Sequence, residues 1–481
     1  MKDLTRLAID TLRKKGASYG DARFVDREDE HVVVKSKQVD QLVRSRSRGV
    51  GVRAIVDGSW GFSATSTLTP AEVERAATEA VEVARASASA QKERVRLAEE
   101  PPHHDTYRTP VEKDPFQVPI EAKVDLLVKC CEVLDKDPRV KVSEASYAAW
   151  RTNKVFASTE GAEIEQTITC TGGGYTATAV GANDTQRRSY PNSFRGNYAT
   201  AGYEYIESLN LLDHAERVRT EAVELLDAPE CPAGEWDLII LGPQLALQIH
   251  ESCGHPVELD RVFGTELSLA GGSFLQPELL GSFMYGSKHV NITGDSVRPG
   301  GLGTFGYDDE GVKATSTPII QEGRFVGYLM SRETAVKLGK RSNAAMRADG
   351  WNRTPLIRMI NVSLEAGTWK LADLIKDTKR GLLIDMNKSW SIDDKRVNFQ
   401  FGCEYAREIT DGKVGRLYKN PLYSGMTPQF WGSCDAVCDA SEWKLWGTPN
   451  CGKGVPGQTM YVGHGAAPAR FRKVKVGRSS P

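Results

Sequence analysis

The sequence predicts an α+β protein: N-terminal and central α/β units with antiparallel sheets, followed by a strand-rich C-terminal domain. Three observations predict it. Apolar residues at helical spacing alternate twice with extended stretches over the first 230 residues, a proline cluster interrupts that pattern, and turn-bounded apolar strands dominate from residue 231 onward. At 481 residues the chain also exceeds what a single hydrophobic core usually serves. The expected divisions are residues 1–98, a linker at 99–119, a central unit at 120–230 and a C-terminal domain at 231–481.

Taken in order, Leu4, Leu7, Ala8 and Leu12 fall on one helical face over residues 1–15, and Gly16 is a C-cap. The valine-rich stretch 23–64 reads as an antiparallel meander with turns at Arg48-Gly49 and Asp57-Gly58-Ser59. Thr69-Pro70-Ala71-Glu72 has the form of a capping box and starts a helix through about Ala84. Pro101, Pro102, Pro110, Pro115 and Pro119 deny regular structure to 99–119, which reads as an extended linker. The order then repeats, as a distant duplication would: a helix over 120–134, strands over 139–181 with Gly172-Gly173-Gly174 inside, and a helix over 211–226. Trp236 to Leu241 is a buried strand ended by Gly242-Pro243, and Leu245, Ala246, Leu247 and Ile249 continue as a helix. Hairpins are expected at Gln321-Glu322-Gly323-Arg324 and Thr410-Asp411-Gly412-Lys413.

Lys and Arg number 62 against 63 Asp and Glu, a balance that disfavours direct contact with nucleic acid or an anionic membrane. No apolar stretch approaches a membrane span, and the charged, amphipathic N-terminus has no secretory signal. Nine cysteines, an odd number, suit buried thiols in a reducing, cytoplasmic setting better than a disulfide framework. Arg44, Arg46 and Arg48 alternate along a strand and share one face, read as solvated.

The C-terminal domain holds the most informative segment, His250-Glu251-Ser252-Cys253-Gly254-His255. Two imidazoles bind a borderline metal such as zinc, and a neighbouring carboxylate accepts a proton from polarised water. The histidines are five apart, not four. On a straight helix those positions diverge by about 140°, so one ion can be shared only where the helix ends or bulges. Gly254, in a left-handed helix-ending conformation, and Pro256 after it permit that. A catalytic zinc usually takes a third protein ligand. Cys253, Cys434, Cys438, Cys451, His289 and His464 are the candidates. Cys434 and Cys438 read as small buried residues on one helix face. Cys451 sits in the glycine-rich loop 448–458, where Lys453 would favour its thiolate, and chemistry prefers it modestly over the others.

His250 to His255, the late Cys451-Gly452-Lys453-Gly454-Val455-Pro456-Gly457-Gln458, the acidic Tyr307-Asp308-Asp309-Glu310-Gly311 and the stretch Arg48-Gly49-Val50-Gly51-Val52-Arg53 together resemble the TldD/PmbA family of metalloproteases, also called modulators of DNA gyrase. The late loop departs in placing three residues between CGK and GQ where the best-known members have one. The resemblance implies three domains, one Zn2+ per active subunit held by His250, His255 and Cys451, and Glu251 as catalytic base. It also implies an unfolded or extended peptide substrate bound by strand pairing. The HExxxH motif places the chain on the TldD side, so the implied assembly is a heterodimer with a PmbA/TldE-like subunit, or a homodimer. His464 and Tyr307 are candidates for donating to a developing oxyanion, and Asp308-Asp309-Glu310 is read as local structure. The alternative function is an assembly or chaperone-like binding subunit of the gyrase-modulator type with little proteolysis of its own.

Overall fold

The computed structural model describes residues 1–267 and 271–478. The chain opens with helix α1 (Lys2–Lys14), which buries Ala8, Ile9 and Leu12. Strands β1 (Tyr19–Lys35), β2 (Gln38–Val56) and β3 (Ser59–Thr65) form the expected meander. Its first turn is not at Arg48-Gly49, which runs through β2, but at Ser36-Lys37, where both residues take positive φ. The glycines of that stretch serve close approach instead. A Cβ on Gly51 would lie 2.2 Å from the carbonyl oxygen of Trp351, and one on Gly49 would lie 2.3 Å from the Trp351 ring. Helix α2 (Pro70–Ser87) begins where Thr69 accepts a hydrogen bond from the Glu72 amide.

The 99–119 stretch is less irregular than its prolines suggest. Between them β4 (His104–Arg108) lies parallel along β6 (Glu163–Val180), its backbone groups satisfied by that strand. Helix α3 (Ile120–Leu134) precedes β5 (Val140–Ser158), and β7 (Thr185–Tyr190), β8 (Asn197–Ala199), α4 (Glu204–Ser208) and α5 (Leu211–Asp227) follow β6. The N-terminal and central units share one eight-stranded sheet of order β3-β2-β1-β5-β6-β4, with β7 and β8 also on β6. The central strands run 17 to 19 residues, and β1 and β5 each serve two cores. Phe24 of β1 packs with α1 and α2, whereas Val32 and Val34 of the same strand pack with α3 and α5. The exposed arginines of β2 pair across the ladder, Arg44 with Glu30 and Arg46 with Asp26.

The C-terminal domain contains β9 (Gly234–Ile240), helix α6 (Gly242–Ile249), the short α7 (Leu259–Val262), β10 (Ile292–Asp295), β11 (Ser316–Gln321) and β12 (Arg324–Phe325). After α8 (Arg332–Lys337), the pair β13 (Met346–Arg347) and β14 (Leu356–Ile357), β15 (Asn361–Leu364) and α9 (Leu371–Asp377), the long β16 (Arg380–Ile392) and β17 (Asn398–Thr410) lead to β18 (Lys413–Lys419) and β19 (Pro421–Met426). Helix α10 (Thr427–Gly432), β20 (Cys434–Val437), β21 (Lys444–Lys453), β22 (Gln458–Ala466) and β23 (Ala469–Arg478) complete it. Both expected hairpins form, at β11–β12 and β17–β18. Cys434 is in a strand, not on a helix face, because β20 pairs with β23. All nine cysteines are buried.

Two sheets enclose α6, one of order β12-β11-β10-β15-β22-β21 and one led by β16-β9-β23-β19-β17-β18. Eight residues are too few for a stable helix in water, but every residue of α6 is buried. Leu245, Leu247 and Ile249 each contribute about 1.5–3 kcal/mol by burial. Its two buried amides meet at one hydroxyl: Gln244 donates to Tyr423 at 3.0 Å, and Tyr423 donates to Gln248 at 3.0 Å. The acidic 308–310 turn ties the units together. Asp308 accepts the amides of Glu310, Val312 and Met346, Asp309 meets Lys154 at 2.9 Å and Arg23 at 3.5 Å, and Glu310 faces Arg53 of β2 at 3.8 Å.

Candidate metal centre

The end of α6 widens instead of stopping. Residues His250–Gly254 form one π-turn, in which the His255 amide donates to the His250 carbonyl, five residues back. The extra residue lets a spacing of five stack two side chains: the imidazoles of His250 and His255 lie 4.8 Å apart between centroids. Gly254 keeps helical angles, φ −81° and ψ −65°, so the left-handed ending expected of it does not occur. Its lack of a side chain matters for packing, since a Cβ there would lie 2.0 Å from Met359 Sδ. Ser252 anchors the turn, accepting from Trp431 Nε1 at 2.9 Å and Gln248 Nε2 at 3.2 Å.

Cys451 arrives from the β21–β22 hairpin. It is on β21, not in an open loop, and one extra residue between Thr448 and Cys451 shifts the register and re-aims the strand. Its Sγ stands 3.9 Å from His255 Nε2, and ligand atoms of His250, His255 and Cys451 all lie within 4.8 Å of one another. His464 is on the second arm of the same hairpin.

The partners of the imidazoles define which nitrogen of each carries hydrogen. His464 Nδ1 lies 2.9 Å from the Val362 carbonyl, which only accepts, so His464 Nε2 holds a lone pair. That nitrogen is 2.8 Å from His250 Nδ1, which must donate, leaving the lone pair of His250 on Nε2. Likewise His255 Nδ1 meets the Glu258 carboxylate at 3.1 Å, and its Nε2 lone pair faces Cys451. Orientation of metal-ligating histidines by such outer partners is a general feature of metal sites.

Burial lowers the pKa of His250 and of His255, and that of His464 well below its ordinary value. Burial opposes ionisation of Cys451, but His255 and Arg358 outweigh it and bring the thiol below its usual range. Lys453, expected to favour the thiolate, instead donates to Asp260 at 2.7 and 2.9 Å and to the Ile357 carbonyl at 2.7 Å. Burial also opposes the charge on Glu258, yet Lys453 and Arg261 hold its carboxyl well below the ordinary range. Glu251 pairs with Arg396 at 2.6 Å. His250, Glu251, His255, Cys451 and Arg396 line one cavity of about 370 Å³, with Trp390 on its wall.

Two expected residues lie elsewhere. Tyr307 packs with Phe156 and Ile164, and its hydroxyl donates to Asp105 at 2.6 Å, so it meets the N-terminal half of the molecule and does not line this cavity. His464 is fully buried behind His250, its Nε2 2.8 Å from His250 Nδ1. Glu258, Arg396 and Arg358 were missed. Glu258 follows His255 by three residues and was within reach of sequence reasoning; the two arginines are remote in sequence and carry no local signal.

Two nitrogen donors and a thiol, buried together beside a carboxylate, form a cluster that could hold a metal ion. The chain belongs to the PmbA/TldA metallopeptidase family: the models of its domain 1, central domain and C-terminal domain match residues 20–84, 113–226 and 234–478. It is 29% identical to a metalloprotease of Methanocaldococcus jannaschii over 94% of this chain and 95% of that one. It is 23% identical to a zinc metalloprotease TldD homolog of Saccharolobus solfataricus, covering 96% and 97%. Among solved structures, TldE from Thermococcus kodakarensis aligns with a TM-score of 0.72 at 17% identity, over 99% of each chain. A candidate modulator of a DNA gyrase from Thermotoga maritima aligns at 0.78 and 19%, over 99% of this chain and all of that one. Among the described residues no helix is long and apolar enough to cross a membrane.

Proposed function

We propose that this protein is a zinc-dependent peptidase that hydrolyses unfolded or extended peptides, with His250, His255 and Cys451 holding the metal and Glu251 as general base. The observation that carries this reading is the convergence of those three donor atoms within 4.8 Å, beside Glu251, in one cavity. The donor set fits zinc: each imidazole has its Nε2 lone pair available, and the Cys451 thiol is brought below its usual range. When bound, zinc polarises water and a peptide carbonyl. Glu251 takes the proton from the attacking water and passes it to the leaving amine. Arg396 holds that carboxylate in place, donating to it at 2.6 Å. The relatives' names support the peptidase class, and one of them names zinc. The assembly that goes with this reading is a heterodimer with a PmbA/TldE-like subunit or a homodimer.

Glu251→Gln tests the reading. It should abolish cleavage of an unfolded polypeptide while leaving one zinc bound per chain; cleavage that persists, or metal lost with the carboxylate, refutes the assigned role.

A further inference from the structure

A second cavity, of about 540 Å³, lies where the central unit meets the C-terminal domain. It is built from the same pieces of chain as the metal cavity. Helix α6 borders it at Pro243, and the π-turn that continues α6 borders the metal cavity at His250; β16 supplies Asp385 here and Trp390 there; β21 supplies Trp446 here and Cys451 there. Pro243 and His250 are separated by about 11 Å of helix, and Trp446 and Cys451 by about 17 Å of strand. An extended peptide rises about 3.3 Å per residue. A chain reaching from one cavity to the other therefore spans about three to five residues.

Two features distinguish this cavity from a packing fault. Asp385 Oδ1 and Trp446 Nε1 are buried with no hydrogen-bond partner, one acceptor and one donor on the lining of a single cavity. A peptide amide offers the complement of both. Next to Asp385, Met386 takes φ 58°, a left-handed conformation that a non-glycine side chain rarely adopts and that tends to be retained at functional sites. Leu209, Leu241 and Leu445 make much of the remaining wall apolar. The volume is that of a site for a ligand larger than one side chain.

We propose that this cavity is a distal subsite for an extended peptide, holding an apolar segment of two or three residues that lies about three to five residues from the bond at the metal centre. The proposal rests on the peptidase reading above for the identity of its ligand. It makes substrate length and a remote apolar segment, not only the residues flanking the cleaved bond, determinants of binding.

The test measures binding by fluorescence polarisation to the zinc-loaded Glu251→Gln protein. The probes are a labelled peptide of twelve residues bearing a Phe-Leu pair four residues from its centre, versions with Asp-Asp at that place or with the pair on the opposite side, and a four-residue core peptide. The Phe-Leu peptide in one of the two registers should bind about tenfold more tightly than its Asp-Asp version. Ala201→Trp, which fills the cavity from its rim, should erase that difference and leave the core peptide's affinity unchanged. Equal binding of the Phe-Leu and Asp-Asp peptides in both registers, or equal weakening of long and core peptides by Ala201→Trp, overturns the proposal. Should Ala201→Trp fail to fold, Ala201→Leu, which narrows the cavity, decides by the same criterion. A wild-type protein that binds in this pattern but cleaves nothing would overturn the peptidase reading alone; one that cleaves without the pattern overturns the subsite alone.

Discussion

Replacing His464 with leucine tests whether the metal centre is held by its outer partners. His464 is fully buried, and its Nε2 accepts the Nδ1 hydrogen of His250 at 2.8 Å and so turns the His250 lone pair toward Cys451 and His255. Leucine removes that acceptor in a fully buried place, and an unsatisfied buried donor costs about 1–3 kcal/mol. At about 1.4 kcal/mol per tenfold, zinc affinity should fall by about 10- to 100-fold, the range found when outer partners of metal-ligating histidines are lost. His464→Gln, whose carbonyl can accept the same hydrogen, should retain most of the affinity. The assay is competition for zinc against a chromophoric chelator at neutral pH, with circular dichroism to show that both variants are folded. A folded His464→Leu protein that binds zinc as tightly as the parent, or a glutamine variant as weak as leucine, would refute the tautomer assignment on which the donor set rests.

Gly51→Ala places a Cβ 2.2 Å from the Trp351 carbonyl oxygen, a backbone atom with little freedom to retreat; overpacking of this kind costs about 1–3 kcal/mol, and an unchanged melting temperature would contradict the contact. Burial pushes the Asp385 carboxyl up to about 6. Its folded-state pKa lies above the unfolded one, so its contribution is fully present below about pH 4 and is lost as pH rises through 6. Asp385→Asn should therefore stabilise the protein by up to about 3 kcal/mol at neutral pH and by little in acid, a divergence that melting curves across that range would show or exclude. Removing zinc with a chelator should lower the melting temperature, because a ligand at about a thousand times its Kd contributes about 4 kcal/mol; identical melts of metal-free and metal-loaded protein would contradict binding to the native state.

Much of the fold was legible because its signals are local. The spacing of Leu4, Leu7, Ala8 and Leu12, the cap at Thr69 and the turn glycines of Asp57-Gly58 and Asp411-Gly412 each act within a few residues and identify their elements. Arg48-Gly49 misled because a glycine needed for contact with Trp351, some three hundred residues away, looks in sequence like a glycine needed for a turn. The 104–108 strand was hidden because its partner, not its own composition, satisfies it. At the site, the five-residue spacing already required a bulge, and the π-turn supplies it. The arginines on Glu251 and Cys451, and the burial of His464 behind His250, follow from how β-strands distant in sequence close over α6, which no local pattern encodes.

That closure has a consequence for the order of events in the life of the chain. On the proposed ligand set, Cys451 and the residue that orients His250 come from the two arms of one hairpin, 196 residues beyond His255 and 214 beyond His250. Until the hairpin docks, α6 offers two imidazoles, one of them without its orienting partner, and no thiolate. Metal capture therefore reports completed folding of the C-terminal domain. A hydrolytic centre armed in this way stays latent in a nascent or partly unfolded chain, a safeguard for a protein whose proposed substrates are themselves unfolded polypeptides.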